Sequence, residues 1–403
     1  MTNILLDDPS VLAGGSLELE LRVEAWIAPN PFNRFDLSDY VELVGSVERD
    51  SCLIGGQATA QLRFSFPEGT DFVGLFGVDR VPWPRLRLRL FVGVRSPGGV
   101  QWSSMGEFLA SSPRLVADQR PQVWQVDCFD YGSVFAAPVG ETVRIPAGTA
   151  ALDALRSILD PSFEGYLPRL SNAPLVVVDW ARFGELPADP SLVDRVWPIG
   201  NESTWLLIID QILQGARWLP PWFDEAGVLT SRPYVSPEDL PVSLVLNDDG
   251  RTSTVGLGAK LTEESWGLPN EFVYVWANID FGGAPTVGNG LLRRRNLSTG
   301  ASSITERGYV VTEVVDIQAD SLEAFAVAAD RHYVAAVSPQ RSLCLEIAPQ
   351  PIPWHRGIAE VTLKDLGIYG EKFLIRSWKL PLGFDGGDAS LVLDSVAGLS
   401  EVQ

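Results

Sequence analysis

The chain has few of the residues that most often carry chemistry. Of its 403 residues only two are His and three are Cys. His332 sits beside Tyr333 in a helical pattern and His355 in the Pro-rich PIPWHRG run, with no HExxH, CxxC or Gly-x-Ser-x-Gly motif in the sequence. A His-built zinc site or triad therefore has little to draw on, and both histidines read as structural. No GxxxxGK phosphate cradle is present either, so the expected cofactor and metal complement is none. Cys52, Cys128 and Cys344 are far apart, each in an apolar or alternating context that suits a buried thiol, and they imply no disulfide framework.

Positive charge is also scarce. Thirty-one basic residues face 51 acidic ones, a net charge of −20, which disfavours a grip on nucleic acid through phosphate contacts. An acidic surface is compatible with DNA passing by without specific binding, and equally with plain solubility. No apolar run is long enough for a bilayer-spanning helix. The opening MTNILLDDPSVLAGG lacks a basic n-region and carries two Asp, so a chain made soluble in a cytoplasm, without membrane insertion, is expected.

What is abundant points to strands and turns. Hydrophobic residues make up 46% of the chain, with 37 Gly, 29 Pro and 13 Trp, enough for two or three domains with real cores. Leu17, Leu19, Leu21 and Val23 alternate with Glu18, Glu20, Arg22 and Glu24, the period of a half-buried strand. Gly55 to Phe66 and Arg85 to Val94 repeat it, and Trp124, Val126 and Cys128 form a last such strand before the Asp130-Tyr131-Gly132 turn. After Pro146 the pattern changes: Gly148-Thr149 can cap a helix carrying Leu152, Leu155, Ile158 and Leu159 on one face.

Ser203 similarly opens a helix with Trp205, Ile208, Ile209, Ile212 and Leu213 at helical spacing, followed by a hairpin from Trp222-Phe223 through Asp224-Glu225-Ala226-Gly227 to Val228-Leu229. Pro269 to Ile279 is strand-like, Gly282 to Ser303 reads as loop, and Asp320 with Glu323 starts a helix bearing Leu322, Phe325, Ala326, Ala329 and Tyr333. The remainder is again strands. Gly106 to Ser133 and Gly370 to Ser395 share Gly-Glu, Phe-Leu, a polar turn and a closing Asp-containing strand, which raises an internal duplication.

The strand–linker–helix run from Trp124 to Leu159 and the hairpin Asp224, Gly227, Leu229, Pro233-Tyr234 resemble the tail-hub proteins of bacteriophages. The resemblance extends over element order from about Leu17 to Leu399. It implies a strand-rich α+β fold with two tube-forming β-barrel domains, a middle α/β module and a helical insertion. The expected division is 1–135 for an N-terminal barrel, 136–248 for the middle module and 249–403 for a C-terminal barrel with the insertion. It further implies a non-enzymatic homotrimer at the distal end of a virion tail. Its implied partners are distal tail or tube ring proteins, the tape-measure protein and tip or fibre proteins, with DNA passing through. Three chains of two barrels each would meet a six-fold ring. Some hub relatives carry a peptidoglycan-cleaving domain after the hub, and this chain looks like a hub without it.

Two other readings stand beside this one: a distal tail ring protein, and a polysaccharide-binding or cleaving protein. Glycan hydrolysis needs only two carboxylates, and Glu263-Glu264 or Asp385 with Asp388 are available, although Trp26, Trp124, Trp276 and Trp378 fall in strand patterns where core packing is the commoner use. One charged pattern stands out. Arg85, Arg87 and Arg89 share one face of a strand whose other face is Leu86, Leu88 and Leu90. They are a solvated face or, as the candidate site, a subunit interface facing carboxylates of a neighbouring chain. Arg293-Arg294-Arg295 admits the same two readings.

Overall fold

The computed structural model describes residues 19–28, 33–51, 57–96, 99–116, 121–140, 142–160, 162–163, 176–187, 195–248, 255–256, 258–264, 268–277, 286–287, 290–297, 302–317, 319, 321–337, 340–348, 352, 355–383 and 388–396. Cys52, Asp320 and Asp385 lie outside them. The protein is a strand-rich α+β fold.

The first half comprises β1 (Leu19–Ile27), β2 (Arg34–Asp36), β3 (Val41–Asp50), β4 (Ala58–Phe66), the short helix α1 (Phe72–Phe76), β5 (Leu86–Ser96), β6 (Gly99–Ala110), β7 (Arg114–Val116) and β8 (Gln122–Phe129). The alternation read from sequence sets their faces. In β4, Ala58, Ala60, Leu62, Phe64 and Phe66 are buried, and in β5 Leu86, Leu88, Leu90 and Val92 are. Phe64 stacks on Phe66 and meets Trp83 edge-on, so aromatic packing fills the centre of this half. Gly45 makes a bulge in β3: at φ +124° a Cβ there would lie 2.0 Å from the Gln61 carbonyl oxygen, which only glycine avoids.

The middle segment holds α2 (Gly132–Phe135), β9 (Pro138–Val139), β10 (Val143–Ile145), α3 (Ala151–Leu159), α4 (Trp180–Phe183), β11 (Arg195–Trp197), β12 (Gly200–Thr204), α5 (Trp205–Gly215), β13 (Trp222–Phe223) and β14 (Leu229–Thr230). Trp205, Ile208, Ile209, Ile212 and Leu213 of α5 are buried, as their spacing predicts. Its cap is Thr204, whose hydroxyl accepts from the Leu207 N–H at 3.2 Å, while Ser203 lies inside β12. Nor do Gly148-Thr149 cap α3. The Thr149 hydroxyl donates to the Pro146 carbonyl at 2.7 Å, closing a turn, and Ala150 occupies the cap without a side-chain bond.

The last part contains β15 (Val242–Asn247), β16 (Lys260–Glu264), β17 (Glu271–Trp276), β18 (Thr286–Val287), β19 (Gly290–Arg295), α6 (Ile304–Arg307), β20 (Thr312–Ile317), α7 (Leu322–Val337), β21 (Gln340–Ile347), β22 (Ile358–Leu363), β23 (Ile368–Pro381) and β24 (Ala389–Ser395). β17 to β20 form a separate four-stranded sheet against which α7 packs Phe325, Ala329 and Tyr333, an insertion between β16 and β21. Ser321 caps α7 by accepting from the Ala324 N–H, and Leu322 is exposed rather than on the packed face. Part of the segment read as loop is strand: β19 carries all three arginines of Arg293-Arg294-Arg295. Cys128 is buried, whereas Cys344 is exposed on the outer face of β21.

The two β halves repeat one strand order. Spatially the first runs β5-β6-β8-β4-β3 and the second β22-β23-β24-β21-β16, so the third, fourth, fifth, second and first strands in sequence occupy matching places. The outer flank differs, because β1 pairs antiparallel with β5 and β15 pairs parallel with β22. Among the described residues neither half closes into a barrel. Instead β23 runs past β22 and pairs Ser377 to Pro381 with Asp50 to Ser46 of β3, so each half completes an edge of the other in one fourteen-stranded sheet. One apolar core spans both, joining Leu62, Phe64 and Val126 to Leu343, Phe373, Trp378 and Leu380.

Leu380 and Val47 face each other across this seam with no exposed surface. Leu380→Ala should cost about 2–5 kcal/mol, the usual range for a buried leucine. Because the core is shared, urea unfolding followed by Trp fluorescence should shift as one transition, and separate unfolding of the two halves would contradict the shared core.

Candidate functional site

The three arginines of the candidate site stand on the outward face of β5 and just before it, yet they meet different surroundings. Arg85 is exposed and donates from Nε and Nη2 to the Ala28 carbonyl at 3.2 and 3.0 Å. Arg87 and Arg89 are half-buried. Arg87 Nη1 donates to the Leu86 carbonyl at 3.2 Å, and the Arg89 guanidinium lies 5.3 Å over the Phe91 ring.

The hairpin of the middle segment packs on β6, the strand beside them. Ser104 donates to the Glu225 carbonyl at 2.6 Å, and the turn glycine Gly227, at φ +73°, comes so close that a Cβ would sit 2.8 Å from Glu107 Cβ. Asp224 shapes that turn by accepting from the Ala226 and Val228 N–H groups at 2.8 and 2.9 Å. Beneath it Tyr131 donates to the Glu107 carboxylate at 2.6 Å. Burial raises the Glu107 pKa, opposed by the Tyr131 hydrogen bond and by the charges of Arg89, Arg34 and Arg87. Burial likewise raises Tyr131, and Glu107 beside it adds to the shift. Arg87 and Arg89 thus offset acids of their own chain, and Arg85 stands apart.

A second buried cluster joins the same hairpin to both β halves. Arg49, on β3, is 1% exposed; its Nη2 donates to the Phe223 carbonyl at 3.3 Å and lies 3.4 Å from His355 Nδ1. Burial lowers the Arg49 pKa to about 10, and Asp130 is the largest of the charges that oppose this. Asp130 accepts from the Ala58 N–H at 2.8 Å; burial raises it to about 6 against the pull of Arg49. His355 stacks on Trp222 at 4.4 Å, and burial, then Arg49, keeps it neutral by lowering its pKa well below the ordinary value. A surface depression of about 360 Å³ lies over this seam, lined by Arg49, Gln57, Trp378 and Lys379. The cluster is chemically a charge-compensated joint, with each ionisable group held by a structural partner.

The remaining sequence candidates fall elsewhere. Arg295 and Arg293, the latter at 3.8 Å, pair with buried Glu271, and Arg294 donates to Asp330 of α7 at 2.7 Å, so this triplet ties the insertion together. His332 lies 3.1 Å from the Tyr274 hydroxyl between aromatic rings. Trp26 and Trp378 are core residues. Among the described residues no group of three His, Cys, Asp or Glu is placed to hold a metal. Glu107, Tyr131, Asp224, Arg49 and Asp130 carried no sequence signal beyond the turn chemistry of Asp130 and Asp224.

The fold is shared with solved structures. The tail protein from Neisseria meningitidis MC58 superposes with a TM-score of 0.59 at 12% identity, over 93% of this chain and 97% of that one. The 43 kDa tail protein of prophage MuSo2 from Shewanella oneidensis gives 0.59 at 12% identity, over 94% and 99%. A chain of the Francisella PdpA-VgrG complex, in its lidded form, gives 0.55 at 9% identity, over 96% of this chain and 54% of that one. No family model and no curated protein matches the sequence.

The Asp130–Arg49 joint has a pH signature. Folded Asp130, at about 6, holds its proton more tightly than at the ordinary 3.8, so its stability contribution is full below the ordinary value and is lost as pH rises through about 6. Asp130→Asn should flatten that part of the stability–pH curve relative to the parent, read by urea unfolding across the interval. Asp130→Ala should cost about 3–5 kcal/mol by leaving a buried charge without its counterpart.

Proposed function

We propose that the chain is a structural component of a phage-type tail, a homotrimeric hub at its distal end. The observation that carries this reading is the strand order repeated within one chain, on a fold shared over more than nine-tenths of two tail proteins. Two similar β units per chain give a trimer six similar units around an axis. A trimer of this kind fits a six-fold tube ring on one side and three-fold tip proteins on the other. The domains are taken as 1–135 and 249–403, the tube-forming pair, with 136–248 between them. The partners in this reading are a distal tail or tube ring, the tape-measure protein and tip or fibre proteins. The net charge of −20 suits a wall past which DNA slides without adhering.

The role is architectural rather than enzymatic. The ionisable groups of the two buried clusters serve the docking of the middle hairpin, and purified protein is expected to leave peptidoglycan intact. Of the stripe Arg85, Arg87 and Arg89, the exposed Arg85 is the proposed subunit contact, while Arg87 and Arg89 serve acids of their own chain.

Copy number in assembled tails tests the reading: three copies around an axial opening are expected, and six copies or a closed axis would overturn it. Arg85→Glu should lower the assembled fraction in light scattering while shifting monomer stability by no more than about 1 kcal/mol, as for a surface substitution.

A further inference from the structure

The repeated strand order makes the seam inside the chain a template for a seam between chains. In the second half, β23 pairs with β22 over its first part, with β24 along its other edge, and with β3 over Ser377 to Pro381. In the first half the same path is split in two. β6 pairs with β5 and, at Leu109 and Ala110, with β8, and β7 continues along β8 through Arg114↔Gln125, Leu115↔Trp124 and Val116↔Val123. β7 is thus the counterpart of the stretch of β23 that meets β3. On the other side β16 is the counterpart of β3, since it pairs with β21 as β3 pairs with β4. Among the described residues, β7 and β16 each have a strand partner on one edge only.

The register carries over residue by residue. Leu109↔Phe129 matches Leu374↔Asp394, which places Arg114 at Lys379 and Leu115 at Leu380. Thr59 and Ser342 are matched through the same strands, which places Leu261 at Val47 and Thr262 at Glu48. Exposure agrees with this. Leu380 and Val47 are 0% exposed where their strands meet, whereas Leu115 is 46% exposed and Leu261 is only half-buried. Leu115 lies opposite Trp124 and Leu261 opposite buried Leu343, so both belong to inward faces whose edges stand open.

We infer that β16 of one copy adds to β7 of a second copy as an antiparallel strand, pairing Leu261 with Leu115, Thr262 with Arg114 and Lys260 with Val116. The contact is head-to-tail, because each copy offers β7 to one neighbour and β16 to the other. Such contacts close into a ring when the rotation permits. Closure at three rests on the trimer proposed above; the pairing itself rests on the internal repeat.

Leu115→Cys and Leu261→Cys variants, alone and mixed, test the pairing under mild oxidation, with the parent chain as control for its native thiols. The mixture should give a covalent dimer that neither single variant gives, and the double variant should give a covalent ring of three on a non-reducing gel. A self-associating chain that forms no 115–261 cross-link overturns the pairing and leaves the trimer standing. A 115–261 cross-link in a ring of six keeps the pairing and removes the trimer. A monomer at every concentration and in tails removes both. Hydrogen exchange on the unmodified chain provides the second readout: amides of 114–116 and 260–264 should slow about ten-fold or more on assembly. Equal exchange in both states overturns the pairing.

Discussion

The pairing of β23 with β3 is the constraint on which the rest of the molecule depends. A sheet edge must be paired, covered or blunted, and among the described residues this chain completes one half with the other instead of closing each on itself. Because the pairing places Leu380 against Val47 and Trp378 beside Arg49, the apolar cores of the two halves become continuous at that point. Lys379 and Glu48, at 2.5 Å across the same seam, add a partly exposed ion pair of modest worth, so burial rather than charge holds the halves together.

The middle segment is fastened to this sheet by polar groups that burial makes costly to leave alone. Arg49 reaches the Phe223 carbonyl and His355, while Asp130 takes the Ala58 N–H and offsets the guanidinium. At the neighbouring contact Tyr131, Glu107 and the Asp224 turn do the same for Arg87 and Arg89. Such joints add specificity more than stability, because a displaced hairpin would strand charges in a low-dielectric interior. The insertion follows the same rule on a smaller scale, with Glu271 and Asp330 receiving the arginines of β19.

How much of this is legible in the sequence follows from range. Strands β4, β5 and β8 and the buried face of α5 are local alternations, and local spacing reads them. The caps were displaced by one residue because Ser203 and Thr204 are chemically equivalent candidates, and only the end of β12 decides between them. Arg293-Arg294-Arg295 shows no apolar alternation, so its strand character depends on β17 and α7, more than fifteen residues away on either side. Cys344 alternates with apolar neighbours but takes the outer face, a choice that the register with β24 makes. The Arg85, Arg87 and Arg89 stripe is visible, whereas Glu107 comes to it across the β5–β6 pairing, Tyr131 from the turn after β8 and Asp224 with the middle hairpin, none of which local spacing shows.

The β3–β23 seam also has a meaning in time. Its two strands, 46–50 and 377–381, are separated by more than three hundred residues. During synthesis the first half emerges with β3 as a bare edge, and it stays so until β23, more than three hundred residues later, has left the ribosome. Contacts of such long sequence separation form late and leave unpaired edges open to the wrong partner meanwhile. The stretch of β3 that waits for β23 holds Glu48 and Arg49 within five residues, and charged side chains on an edge discourage non-native pairing. Residues that later become a joint therefore begin as a guard on the nascent chain.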